Sequence, residues 1–116
     1  MDPYDYESEL EIFPQGETIF EAGQPGDRMY VVADGTVEVR VGEKAVETVR
    51  PTGIVGEMAL LGTDIRSATA VAKSKCCLLP IDKDFFLYLV QQSPRFSLTV
   101  MKTMADRLRR SNQPKA

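Results

Sequence analysis

The sequence predicts a mainly β domain, an antiparallel sandwich, roll or barrel, with helices at its C-terminal end. Three observations predict it. Between Thr18 and Ile81, short runs rich in β-branched residues are separated by glycine turns. Within that stretch Thr36-Val37-Glu38-Val39-Arg40-Val41 alternates strictly, three valines on one face and Glu38 and Arg40 on the other, so one face of that strand is wet. After Asp82 the apolar spacing changes to that of a helix. At 116 residues the chain has room for one core and not for two.

Residues 1–11 are an acidic N-terminal segment carrying Asp2, Asp5, Glu7, Glu9 and Glu11 with no base. Residues 12–81 are expected to form the β layers. Gly23, Pro25 and Gly26 punctuate the early part, and Met29-Tyr30-Val31-Val32 reads as a strand. Asp34-Gly35 lies between that strand and the alternating run, which predicts a tight type I′ hairpin, because its central residues need positive φ. Gly42 ends the alternating run, and further strands are expected at Ala45 to Val49, Ala68 to Ala72 and Cys76 to Ile81. Residues 82–110 are the helical segment. Asp82 is placed to cap a helix whose apolar stripe is Phe85, Phe86, Leu89 and Val90. Ser93-Pro94 starts a second helix, with proline where its missing N–H is tolerated. Its expected stripe is Phe96, Val100, Met101, Met104 and Leu108, and its polar positions are Lys102, Asp106, Arg107, Arg109 and Arg110. That is under three heptads, too short to read as a coiled coil alone. Residues 111–116 are a polar tail.

Composition excludes several chemistries. There is no histidine, so no Ser-His-Asp or Cys-His nucleophile and no His-ligated zinc, copper, iron or haem. The two cysteines, Cys76 and Cys77, are adjacent on a predicted strand and point to opposite faces, which suits free thiols in a reducing cytoplasm. The longest apolar run, Phe85 to Val90, is far too short to span a membrane. A net charge of -3 is not that of a protein built to neutralise phosphate backbones. Residues 101 to 116 nevertheless carry five bases against one acid. Charge runs of this kind read first as solvated faces and second as interaction ends. No enzyme, metal or cofactor is expected.

One segment breaks the strand rhythm. Residues 57 to 61 are good helix formers bounded by Gly56 and Gly62, enough for little more than one turn. Such a turn is not stable alone, since nucleation costs more than one turn returns. It does present free backbone N–H groups to an anion. Arg66 follows as a bidentate partner for phosphate, whereas Glu57 has the wrong sign for phosphate and needs a donor such as a sugar hydroxyl. Together these residues ask for a compact anion beside a hydroxyl.

The segment Gly56-Glu57-Met58-Ala59-Leu60-Leu61, the spacer Gly62-Thr63-Asp64, and Ile65-Arg66-Ser67-Ala68-Thr69 resemble the phosphate-binding cassette of the cyclic nucleotide-binding domain family. That family includes the cAMP receptor protein, protein kinase A regulatory subunits and cyclic nucleotide-gated channels. The one departure is Ile65, where the family most often has proline. Phe20 to Tyr30 and Asp34-Gly35-Thr36-Val37 look like the family's roll glycines and hairpin, and the likeness covers about residues 12 to 110. The resemblance implies an antiparallel β-roll of the double-stranded β-helix or jelly-roll type, with a short cassette helix and C-terminal helices. It implies that Glu57 accepts from the ribose 2′-hydroxyl and that Arg66 pairs with the exocyclic phosphate oxygens. The amides near Met58 and Ala59, with the Ser67 amide and hydroxyl, would complete the phosphate cradle, and Gly56 would let the backbone approach the ribose. Ser67, where a threonine often accompanies cGMP preference, favours cAMP.

Each of these residues also reads singly as plain structure: Glu57 as a first-turn acid, Arg66 as a surface strand residue, Met58 and Leu60 as core. Their joint spacing is what points to a ligand. Arg107, Arg109, Arg110 or Asn112 are candidates to cover the base, each equally readable as a solvated cation at a helix end. The expected function is a cytoplasmic cyclic-nucleotide sensor whose cassette moves the C-terminal helices. The alternative is a ligand-silent module of the same fold acting in protein interaction. The expected partners are the nucleotide and an effector, separate or fused, with a homodimer through the last helix open. No DNA-reading element follows Arg110, so direct DNA binding by this chain is not expected.

Overall fold

In the computed structural model, residues 9–62 and 65–111 are described. The acids up to Glu7, the spacer residues Thr63 and Asp64, and the tail from Asn112 lie outside the described residues. Met29-Tyr30-Val31-Val32 has no polar face, so a strand made of it must be covered on both sides. The strand it forms, Arg28–Asp34 (β3), runs through the interior, with all four of these residues buried. Its sheet has the order β1-β8-β3-β6, with Glu11–Phe13 as β1, Cys76–Asp82 as β8 and Ile54–Val55 as β6. Val32 pairs with Leu78 and Val31 with Leu79. The second sheet has the order β2-β7-β4-β5, formed by Thr18–Phe20 (β2), Thr69–Ala72 (β7), Val37–Val41 (β4) and Lys44–Val49 (β5). Every pairing is antiparallel. The fold is mainly β, as expected.

Two apolar layers follow from the alternation along β3 and β8. Tyr30, Val32 and Leu78 face the second sheet and meet Val37, Val49, Ala70 and Ala72. Met29, Val31, Leu79 and Ile81 face the other way and are covered by Leu89, Phe96 and Val100 from the helices. The helices are Met58–Leu61 (α1), Lys83–Gln92 (α2) and Pro94–Ser111 (α3). Asp82 caps α2 as its sequence position predicts, its Oδ1 accepting from the Phe85 amide at 2.8 Å. Phe86 of α2 packs on Phe96 of α3 with ring centroids 5.8 Å apart.

Two expectations are corrected. The Asp34-Gly35 hairpin does not form, because β3 and β4 lie in different sheets and never pair. The hairpin is instead β4 with β5, turning through Gly42-Glu43 with Gly42 at φ 64°. Gly35 still needs its positive φ of 82°, but for a crossing between layers, where a Cβ would sit 2.2 Å from the Lys75 carbonyl. The α3 stripe is also rotated from the one expected. Phe96 and Val100 are buried and Met104 partly so, whereas Met101 and Leu108 are exposed. Arg107, eleven residues after Phe96 and so just over three full turns on, falls on the inward face instead.

Candidate functional site

Arg66 is positioned by its own backbone. Its amide donates to the Gln24 carbonyl at 2.8 Å and its carbonyl accepts from the Gly23 amide at 2.8 Å, while Ile65 bridges Pro25. These bonds tie the arm after the cassette helix to the glycine turn after β2, and the Ala22 amide adds a bond to Thr69 Oγ1. The side chain then runs inward past Gly26, where a Cβ would lie 2.2 Å from Arg66 Nε. Gly56, at φ 77°, flanks it on the other side, and a Cβ there would meet Nη1 at 2.6 Å.

The result is a buried guanidinium with few partners. Arg66 is 7% exposed. Its Nη1 donates to the Gly56 carbonyl at 3.3 Å, its Nε has no partner among the described residues, and its Cζ lies over the Phe20 ring, 4.1 Å from the centroid. Among the described residues no carboxylate forms an ion pair with it. Burial is the main influence on its acidity and pulls its pKa below the ordinary guanidinium range. Such a cation is relieved by an arriving anion.

Glu57, the residue after Gly56, stands at the start of α1 and is buried. Its Oε1 accepts from Arg107 Nη1 of α3. Arg107 is a node. Its Nε and Nη2 donate as a fork to the two oxygens of Glu47 at 2.9 and 3.1 Å, and Nη2 also reaches the Ile54 carbonyl at 2.6 Å. Arg110 adds a third bond to Glu47 at 3.0 Å. Burial alone would lower the Arg107 pKa, but the bond to Glu47 and the charges of Glu57 and Glu47 outweigh it and raise it. Burial likewise pushes Glu47 up, and the two arginines bring it net below the carboxylate range. Arg109 instead pairs with Asp106 on its own helix and is exposed. Thus α3 folds back over the mouth of the roll.

Gly56, Glu57, Met58, Ala59, Arg66 and Ser67 all line one cavity of about 830 Å³, a size suited to a small-molecule ligand. Val39, Val41 and Val46 supply an apolar wall, and Met104, Arg107 and Leu108 of α3 form the cover. The amides of Met58 and Ser67 have no protein partner among the described residues, whereas the Ala59 amide already donates to the Gly56 carbonyl at 3.2 Å. The cavity thus holds a cation with open donors, a carboxylate, and an apolar wall of valines.

A family model described as the cyclic nucleotide-binding domain matches residues 10–93. The chain belongs to that family. Among proteins similar to this cyclic nucleotide-binding domain, the cyclic AMP receptor protein of Thermus thermophilus is 33% identical over 106 residues, covering 87% of this chain and 49% of that protein. A cyclic nucleotide-gated potassium channel of Rhizobium etli is 36% identical over 104 residues, covering 90% of this chain and 28% of the channel. The crystal structure of the Thermus thermophilus catabolite activator protein superposes with a TM-score of 0.77 at 31% identity, over 89% of this chain and 51% of that one. The chain therefore spans about half the length of such relatives, or less.

Three residues lining the cyclic nucleotide-binding domain's cavity or flanking Arg66 carry no local sequence signal for a ligand. Phe20 ends β2 and reads as an ordinary strand residue until Arg66 lies over its ring. Gly26 looks like one more turn glycine until Arg66 passes it. Glu47 reads as a polar residue on an edge strand. Arg107 could have been separated from the other candidate covering cations by its helical phase with Phe96 and Val100.

Proposed function

We propose that this domain binds a cyclic nucleotide, cAMP in preference to cGMP, and acts as a sensor that passes occupancy to α2 and α3. The observation that carries the reading is Arg66, a buried guanidinium with an unpartnered Nε and no carboxylate partner among the described residues, aimed into the cavity. An isolated buried charge is costly, and a phosphodiester supplies what it lacks. In this reading the phosphate sits on Arg66 with the Ser67 amide and hydroxyl and the cassette amides, and the ribose 2′-hydroxyl donates to Glu57. Gly56 gives the ribose room. Ser67, one methyl smaller than threonine, favours adenine as the base.

The path outward runs through Leu60, which packs in the same apolar layer as Phe85, Phe86 and Phe96. Closure of the cassette on phosphate moves Leu60 against α2 and α3, and ligand binding shifts their equilibrium because the two arrangements differ in affinity. The receiver of that movement is an effector, separate or on the same polypeptide. Calorimetric titration with cAMP and cGMP tests the reading. It predicts micromolar or tighter cAMP binding with cGMP weaker, and no heat of binding with either nucleotide contradicts it.

A homodimer through α3 has its own support. Leu98 and Met101 are 63 and 55% exposed, lie three residues apart on one face of α3, and do not line the cavity. A second copy of the same helix is the partner that matches this seam. Light scattering on the chain should give a dimer that Leu98→Glu with Met101→Glu converts to monomer, and a wild-type monomer at high micromolar concentration contradicts it.

A further inference from the structure

We infer that Glu47 is a positioning residue for the nucleotide site, holding the Arg107 guanidinium so that one terminal nitrogen stays on Glu57. The inference rests on the cyclic-nucleotide reading of that site and names what links it to α3. It begins with where Glu47 points. On β5 it pairs with Val39, and Val49 pairs with Val37, so Glu47 shares the inward face of the sheet with buried Val49. The register shifts between Val39 and Arg40, so Arg40 lies opposite Ala45 and Val46 becomes the extra residue of a bulge. Bulges re-aim side chains, and here both Val46 and Glu47 line the cavity. A carboxylate on an inward face is unfavourable unless it is paired.

Its pairing leaves little freedom. Both Glu47 oxygens engage Arg107 through Nε and Nη2, the flat fork geometry that orients a guanidinium as well as attracting it. With Nη2 also on the Ile54 carbonyl, the plane of the group is set from two strands. Only Nη1 is left to turn toward Glu57. A ribose hydroxyl arriving at Glu57 therefore meets a carboxylate oxygen and an Arg107 N–H side by side, and whatever it does to that pair is felt by α3. Without Glu47, Arg107 has a single carboxylate and can follow Glu57 or leave with the helix. Arg110 on the same carboxylate anchors the next turn of α3.

The test is a double-mutant cycle in cAMP affinity, with wild type, Glu47→Gln, Arg107→Ala and the double variant. Loss of a charge-assisted fork should weaken binding by roughly tenfold in Glu47→Gln, and Glu47→Gln should add nothing once Arg107 is alanine. A purely structural Glu47 would weaken binding equally in both backgrounds, which overturns the inference, as does wild-type affinity in Glu47→Gln. The Arg107 Nε–H resonance in nitrogen-15 NMR gives a readout independent of ligand. It should be a distinct, slowly exchanging signal in the free chain and be lost in Glu47→Gln, and persistence of that signal contradicts the positioning role. If wild type binds neither cAMP nor cGMP, the function proposed above fails, and the resonance still decides whether Glu47 holds Arg107.

Discussion

At the scale of single residues, Arg66 is what sets the proposed ligand site apart from a structural ion pair. A structural arginine buried to this degree is matched by carboxylates, as Arg107 is. Arg66 has an aromatic face, one carbonyl and an unused donor. Replacing it with alanine should weaken cAMP by roughly one to two powers of ten, from the net ~1.5–3 kcal/mol of hydrogen bonds to a charged group. The free protein should be no less stable, since a costly buried charge is removed, and thermal unfolding beside calorimetry would show both effects. Gly26→Ala reaches the same cation from outside, because the new methyl group would stand 2.2 Å from Nε. It should weaken cAMP while leaving Glu57 and Arg107 in place, and a wild-type dissociation constant for Gly26→Ala would show that Arg66 can reach the ligand by another route. That Glu57 and Arg66 would border one cavity was legible from their joint spacing in the cassette. Phe20 and Gly26 were not, since a ring under a guanidinium and a glycine beside it are relations in space that no local pattern records.

At the scale of elements, most strands and both long helices stand where residue alternation and capping place them. The exceptions share a cause. Asp34-Gly35 has the residues of a hairpin turn, but turn chemistry is local and does not say which sheet the next strand joins. β4 alternates and is drawn into pairing with β5 and β7, leaving β3, which is apolar on both faces, for the interior. On α3 the apolar residues are broad enough to form two stripes, and packing selected the one ending in Arg107. That choice makes the helix's hold on the roll dependent on charge. Glu47 titrates below the ordinary carboxylate range in the folded chain, so its contribution is present at neutral pH and is lost as the pH falls through that lowered value. Arg107 and Arg110 face it directly, and Glu57 lies beyond Arg107. Wild type should exceed Glu47→Gln in stability by about 1–2 kcal/mol at neutral pH. The gap should narrow below roughly pH 4, which paired denaturant melts across that range would reveal. A gap that stays constant into acid would mean that the carboxylate contributes nothing by its charge.

At the scale of the whole molecule, two sheets and a helical layer share β3 and β8 as a common wall, and the cavity opens where the second sheet meets the cassette and α3. A ligand there touches parts from most of the chain, so it should stabilise the fold as a unit. At a free concentration one hundred times its dissociation constant, cAMP should add about 2.7 kcal/mol, a rise of roughly 10 °C or more in melting temperature for a domain of this size. Scanning calorimetry measures it, and the rise should vanish in Arg66→Ala. Generic contact alone falls short of such binding: a ligand of about 22 heavy atoms at roughly 0.3 kcal/mol each gains near 7 kcal/mol, against about 8.2 for micromolar affinity. The charged contacts make up the difference. The claim that Arg66 receives the phosphate is tested most directly by phosphorus NMR of cAMP titrated with the chain. The phosphate resonance should shift and broaden with wild type and stay at its free position with Arg66→Ala, and an unmoved resonance with wild type, or an equal shift with the variant, would contradict it.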